Sequence, residues 1–315
     1  MAFDFIGSRI QRRFALLWAA SRMVMLPAAD LPRPVGWWTG DGTTEDLVGT
    51  NSAAIANDSS YAGAVFGKGF AFNGRSDVVT VADATSQHPT QITVACWVKF
   101  NELLTPGAGT PGLQYLIFKR RPINSGFEGY TLVKDRLTGA DRFKLVIANG
   151  SKPTDQVVTA GTTIIETNRF YFVVGTADGS DARLYVNGML EGMSVAPFLI
   201  HGGTKPLVFG SSEESYNGRF SGVLDEPQIF DRALSQEEIQ ALYEQSAVAA
   251  QLTASLKHGV CILSWPARFA DRRVEVSTDL QDWGPLLGPV SRTGYTVSML
   301  PPQNLTSDFF WLVEP

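Results

Sequence analysis

The residues in this chain best suited to chemistry are carboxylates. Asp41 and Asp46 fall in one early loop, and Asp225-Glu226 fall in the strand-like run Gly218–Phe230. Calcium gathers carboxylate and carbonyl oxygens from loops at an end or edge of a sheet. Asp41, Asp46 and Asp225 therefore make a candidate calcium set if the first and last strands lie side by side. The alternative is local: Asp41 makes an Asx-turn and Asp225 accepts from a backbone amide. No EF-hand-like loop with its own ligand spacing occurs. Sugar recognition asks instead for aromatic faces with a few polar groups. Its candidates are Tyr115, Phe127 and Tyr130 around the Pro/Gly-rich loop 104–112, Arg142, and Glu214 with Tyr216 in the loop 211–219. Strand-end aromatics more often serve packing, so the loops are the candidate as a group. Glycoside hydrolysis needs two or three acids at alternate positions of one strand, so that all enter one cleft. Asp225-Glu226 and Glu213-Glu214 are adjacent pairs, which predicts opposite faces. There is no G-x-S-x-G, Gly67-Lys68-Gly69 lacks a phosphate-loop frame, and His88, His201 and His258 have neither triad nor zinc spacing.

These groups need elements to position them, and the composition bounds which. The chain has 315 residues, enough for one large domain and a small one. Apolar residues at 44% and charged residues at 18% exclude a disordered chain. A net charge of −5 argues against a nucleic-acid surface, and Lys119-Arg120-Arg121 reads as a solvated strand end. Cys96 and Cys261 sit in apolar strand patterns of different domains, which predicts inert buried thiols and no disulfide. Residues 1–33 have the order of a secretory signal: Arg9, Arg12 and Arg13, then the apolar run Phe14–Ala20, then Ala28-Ala29. Arg22 interrupts that order, and the other reading is an amphipathic leader or a misassigned start. No stretch reaches the ~20 apolar residues that span a bilayer, so no membrane span is expected.

From Val35 the pattern is strand and turn. Asn73-Gly74 between Lys68–Phe72 and Asp77–Val81 signals a hairpin. Ile92–Phe100, ITVACWVKF, has the period-2 pattern of a central strand. Phe170–Thr176, Arg183–Val186 and Met189–Met193, joined at Asp178-Gly179 and Asn187-Gly188, predict a three-stranded meander. Pro227 removes a ladder donor, so the last strand must bulge or lie at an edge. Ser235 and Glu238 form a capping box that opens a short helix, with Ile239 and Leu242 as its docking stripe. Strands this numerous, with long irregular returns, predict a two-sheet sandwich.

Several of these segments together resemble the laminin-G-like, concanavalin A-like jelly-roll family over about 35–245: Gly40-Asp41-Gly42, Gly67–Asp77, Ile92–Val98, Val173–Gly188 and the closing run Gly218–Tyr243. The chain departs from the family pattern at Pro227 and Phe170. The resemblance implies an all-β antiparallel jelly-roll sandwich with one short C-terminal helix. It also implies a structural calcium for which Asp41 and Asp225 are the best-matched positions. After a linker at 246–251, residues 252–315 resemble a small fibronectin type III-like β domain through Leu263-Ser264-Trp265 and Val274–Leu280 with Trp283. The expected function is non-catalytic binding of a glycan or glycoprotein surface by an exported bacterial protein, secreted or at the cell surface. The alternatives are a glycoside hydrolase on the same fold and a purely structural spacer.

Overall fold

The computed structural model describes residues 32–56, 59–105, 112–123, 126–136, 139–150, 155–212 and 218–244, and the strands between 253 and 313. The chain divides into two compact units, one spanning Pro27–Ala249 and one containing the strands after Ala250. The larger unit is built from two antiparallel sheets. One follows the order β13 (Met189–Val195), β12 (Asp181–Val186), β11 (Phe170–Ala177), β6 (Ile92–Phe100), β15 (Ser221–Phe230), β4 (Lys68–Asn73), β3 (Ser60–Gly63), with β1 (Gly36–Trp37) also on β15. The other follows β10 (Gln156–Ala160), β9 (Arg142–Asn149), β8 (Gly126–Asp135), β7 (Gln114–Ile123), β14 (Leu207–Phe209), β5 (Val78–Val81), β2 (Ala53–Ala56). The chain crosses repeatedly between sheets, as in a jelly roll.

The inner faces meet in one core. Val94, Cys96, Val98 and Phe100 of β6 point into it, beside Trp38, Phe70, Leu132, Leu145, Phe209 and Leu224. Cys96 is a free, buried thiol whose pKa burial pushes up. The alternate residues Ala95 and Trp97 face outward, yet they too are buried. The reason is the helix α1 (Gln236–Glu244), which lays Ile239 and Leu242 onto Trp97, Phe172 and Phe230. The Tyr243 ring stacks 5.7 Å from Trp97. Burying two aliphatic side chains of this kind stabilises the packing by about 1.5–3 kcal/mol each. The capping box forms as expected: the Ser235 amide donates to Glu238 Oε2 at 2.9 Å, and the Glu238 amide to Ser235 Oγ at 3.3 Å.

The meander β11–β12–β13 forms with its turns where expected, Asn187 and Gly188 both at positive φ. Asn73-Gly74 does not make the expected hairpin, because β4 joins one sheet and β5 the other. Its turn chemistry is intact: Asn73 Oδ1 accepts from the amides of Arg75 (2.8 Å) and Ser76 (3.0 Å). The local signal fixes a turn, and inter-sheet packing chooses the partners. In the second unit, β16 (Thr253–Lys257), β17 (Val260–Pro266), β21 (Thr296–Met299) and β20 (Val290–Thr293) form one sheet in that order. A three-stranded sheet pairs β18 (Arg273–Ser277) with β19 (Gly284–Pro285) and β22 (Phe309–Val313). Among the described residues, no helix is long and apolar enough to cross a membrane.

Candidate functional site

Pro227 lacks an N–H, so β15 cannot hold an unbroken ladder with β6. The register slips between Asp225 and Gln228, and Glu226 takes φ +54°. At the same point the other neighbour of β15 changes, from β4 at 221–224 to β1 at 228–229. A bulge of this kind breaks side-chain alternation. Asp225 stands opposite Trp97 on β6, and the charge of Glu226 acts on it from the bulge. Asp225 is fully buried, and its Oδ2 accepts from the amides of Val65 and Phe66 at 3.1 Å each. Asp41 Oδ1 accepts from the Lys68 amide at 2.7 Å, so the two acids grip both sides of the turn at 64–67. Glu226 Oε2 accepts from the Trp37 indole at 2.5 Å. Burial raises the Asp225 pKa well above the usual carboxylate range, and the charges of Glu226 and Asp41 add to it against the Phe66 and Val65 amides. Asp225 Oδ1 has no hydrogen-bond partner among the described residues.

Asp46 stands apart from this group. Its Oδ1 accepts from the amides of Trp37 (3.1 Å), Val48 (3.2 Å) and Gly49 (3.0 Å), which ties the first loop. The expected set Asp41–Asp46–Asp225 is thus not assembled, and among the described residues no three His, Cys, Asp or Glu side chains converge as a metal site. What suits a hard cation is narrower: one buried, unpartnered oxygen of Asp225 in the field of Asp41 and Glu226.

A second buried polar group occupies one end of the sandwich. Lys119 is not solvated as its charge run predicts. Its ammonium is buried, donating to the carbonyls of Gly203 (3.1 Å) and Lys205 and pairing with Asp83. His88 lies 2.6 Å from the same carboxylate. Burial disfavours the Asp83 charge, but hydrogen bonds from Lys119 and His88 outweigh it and hold the carboxyl below its usual range. Arg120 is buried as well.

The outer face of the seven-stranded sheet carries an apolar stripe. Val208, Phe118, Thr131 and Val146 stand in register across β14, β7, β8 and β9. Phe118, Val133, Val146, Val208 and Tyr115 pack together and are buried. At one end of this stripe the Arg120 guanidinium lies 4.3 Å from the Phe127 ring, and its Nη2 donates to Gln156 Oε1 at 2.7 Å. Arg120 pairs with Gly129, two residues from Phe127, so the two side chains are diagonal neighbours on one face. Gly129, at φ +103°, leaves room there; a Cβ would stand 1.9 Å from the Lys119 carbonyl oxygen. The half-buried Phe127 and exposed Gln156 with Arg120 make a small amphipathic platform.

The four expected sugar contacts that lie among the described residues do not form one site. Tyr130 is fully buried, its hydroxyl donating to the Gln87 carbonyl at 3.2 Å, and so presents no face to a ligand. Tyr115 is buried edge-on against Phe118, with its amide on the Gly218 carbonyl at 2.9 Å. Arg142 donates to the Thr162 carbonyl at the Asp135 end of β8, opposite the end that carries Phe127. At strand rise that separation is about 25 Å. Glu214 and Tyr216 lie outside the described residues. Arg120 and Gln156 were missed, although the period-2 parity of β7 and β8 places Arg120 on the Phe127 side once their hairpin register is known.

The family model for laminin G domains of the concanavalin A-like lectin/glucanases superfamily matches residues 73–240, just over half of the chain. The chain belongs to this family. No curated protein matches the sequence. Among solved structures, the fold is shared with domain 4 of AbnA, a GH43 extracellular arabinanase from Geobacillus stearothermophilus in complex with arabinotriose. The identity is 17%, over 68% of this chain and 100% of that one, at TM-score 0.53. It is also shared with the binding domain of Paraclostridial Mosquitocidal Protein 1, at 14% identity over 87% and 72% of the two chains, TM-score 0.55. The binding domain of Botulinum Neurotoxin DC in complex with SialylT matches at 12% identity over 76% and 58%, TM-score 0.52. At these identities the likeness is one of fold.

Proposed function

We propose that this chain is a non-catalytic carbohydrate-recognition module of an exported bacterial protein, acting at a glycan or glycoprotein surface. The observation that carries this reading is the half-buried Phe127 ring beside the exposed Gln156 amide, both held by the buried Arg120 guanidinium: an aromatic edge for a sugar ring with an amide that suits its hydroxyls. Two neighbours of the same fold are named with saccharide ligands, which supports the class without identifying the sugar. The buried stripe beside the platform is closed, so a ligand meets only its polar end. The smaller unit, with sheets of four and three strands among the described residues, remains a fibronectin type III-like module in this reading. Calcium is part of the proposal in reduced form: Asp225, with Asp41 and Glu226 nearby, would hold it as a structural ion, and Asp46 would not.

The test is a glycan array probed with the full chain, in calcium and again in chelator, alongside Phe127→Ala. Specific hits weakened tenfold or more by Phe127→Ala, with an unchanged melting temperature, are expected. Hits indifferent to that substitution would move the site elsewhere. Cleavage of any bound oligosaccharide would favour a glycoside hydrolase, and a blank array a structural role.

A further inference from the structure

At the hairpin end of the seven-stranded sheet, four residues stand in one row across four strands. Arg120 on β7 pairs with Gly129 on β8, Gly129 with Ala148 on β9, and Ala148 with Gln156 on β10. Three strand spacings, about 14 Å, separate the backbones of Arg120 and Gln156. The arginine side chain crosses that distance because glycine and alanine hold the two positions between. It ends with Nη2 donating to Gln156 Oε1 at 2.7 Å and the guanidinium 4.3 Å from the Phe127 ring.

That contact sets what the platform offers a ligand. A guanidinium only donates, so the Gln156 amide must turn its oxygen to Arg120 and its NH2 group away. Gln156 is exposed, and those two N–H donors are the part of it left for a ligand. The guanidinium takes one face of Phe127, which leaves the C–H edge, the positive end of the aromatic quadrupole. Strand alternation sends the neighbouring charges to the other face of the sheet. There Lys119 pairs with Asp83, and Glu128 Oε2 lies 2.9 Å from His201 Nδ1. Asp155, just before β10, takes no part in the contacts of the row. Donors, a positive ring edge and the guanidinium field thus point one way, and the acceptor of Gln156 is already engaged. A neutral hydroxyl both donates and accepts, whereas anionic oxygens only accept and do so in stronger, charge-assisted bonds.

We propose that this platform selects an anionic sugar, whose carboxylate or sulfate oxygens accept from the Gln156 amide, with Arg120 the positioning residue behind it. The inference rests on the carbohydrate reading and narrows it to a ligand class. The test is binding of the full chain to matched pairs of immobilised glycans. Oligogalacturonate against its methyl ester isolates the carboxylate, and sulfated N-acetyllactosamine against its unsulfated parent isolates the sulfate. At least one acidic member should bind about tenfold more tightly than its neutral partner. That gap should narrow as salt rises from about 50 to about 500 mM. Gln156→Glu replaces the donors with a carboxylate held on Arg120, and should abolish the preference at an unchanged melting temperature. Should it misfold, Gln156→Met, which removes the donors without adding charge, takes its place with the same expectation. Neutral members bound as tightly as acidic ones, through contacts that Phe127→Ala weakens, overturn the anion inference and leave the carbohydrate reading standing. An acid preference indifferent to Gln156→Glu overturns it too, because charge elsewhere is then responsible. Binding to neither member of either pair also overturns it, and the array of neutral glycans then decides the broader reading.

Discussion

Two of the places where the sandwich buries charge compensate it in opposite ways. At the Asp83 end, a lysine ammonium is enclosed by a carboxylate and two carbonyls, with a histidine beside the carboxylate. At the β15 bulge, a carboxyl is enclosed by two amides and has two further carboxylates in its field, with no basic side chain paired to it among the described residues. The first arrangement is complete as it stands. The second is complete only with a proton or a cation. The opposite displacements of the two carboxyls from their usual pKa, Asp83 downward and Asp225 upward, are the signature of that difference.

The comparison breaks most directly at Asp83. Asp83→Ala leaves the Lys119 ammonium buried without its counter-charge, and the expected loss is about 3–5 kcal/mol in denaturant unfolding. A loss under about 1 kcal/mol would mean that the two carbonyls alone satisfy Lys119.

Next in size is Asp225→Ala, which orphans the Val65 and Phe66 amides, at about 2–3 kcal/mol. Asp225→Asn keeps an acceptor for them and serves as the sharper probe of charge. A folded pKa raised above the unfolded one gives stability that is full below the unfolded pKa and is lost as pH rises through the folded one. In chelator, the parent should therefore lose stability with rising pH above the ordinary carboxylate range, and Asp225→Asn should flatten that limb. Asp83 has the reverse sign: its contribution is present above the unfolded pKa and is lost as pH falls through the depressed folded one. Asp83→Asn should remove acid sensitivity and leave the alkaline limb alone. Added calcium that raises the parent's melting temperature, and not that of Asp225→Asn, would identify the cation as the compensating group.

The smallest effect expected is at the exposed pair Arg232–Glu238, bidentate at 2.8 and 2.5 Å beside the helix start. Arg232→Ala should cost less than about 1 kcal/mol by thermal melting, because solvent screens it. A cost rivalling Asp83→Ala would show that burial is not what separates these clusters.

Much of the fold was legible because its signals are local. The alternation in ITVACWVKF, the Asn187-Gly188 turn and the Ser235/Glu238 box each act through residues within a few positions of one another, and all three appear as read. The candidate site was legible only in part. Asp225 is buried and polar, and Pro227 does force a bulge, but only the register slip shows that strict alternation does not run through Asp225–Gln228. Tyr130 and Tyr115 read as loop-rim aromatics and are packed away, because strand parity becomes inward or outward only once the sheets stack.

The amino-acid order by itself determined the elements, the all-β class, the helix cap and the place where β15 must break. These follow from backbone sterics, missing donors and side-chain periodicity, which need no distant partner. Only the tertiary structure decided which carboxylates share a field, which lysine of a basic run is buried, and which side chains Arg120 reaches across the sheet. Those outcomes depend on contacts between residues as far as 189 positions apart, as in Trp37 with Glu226, and no local pattern encodes such a meeting.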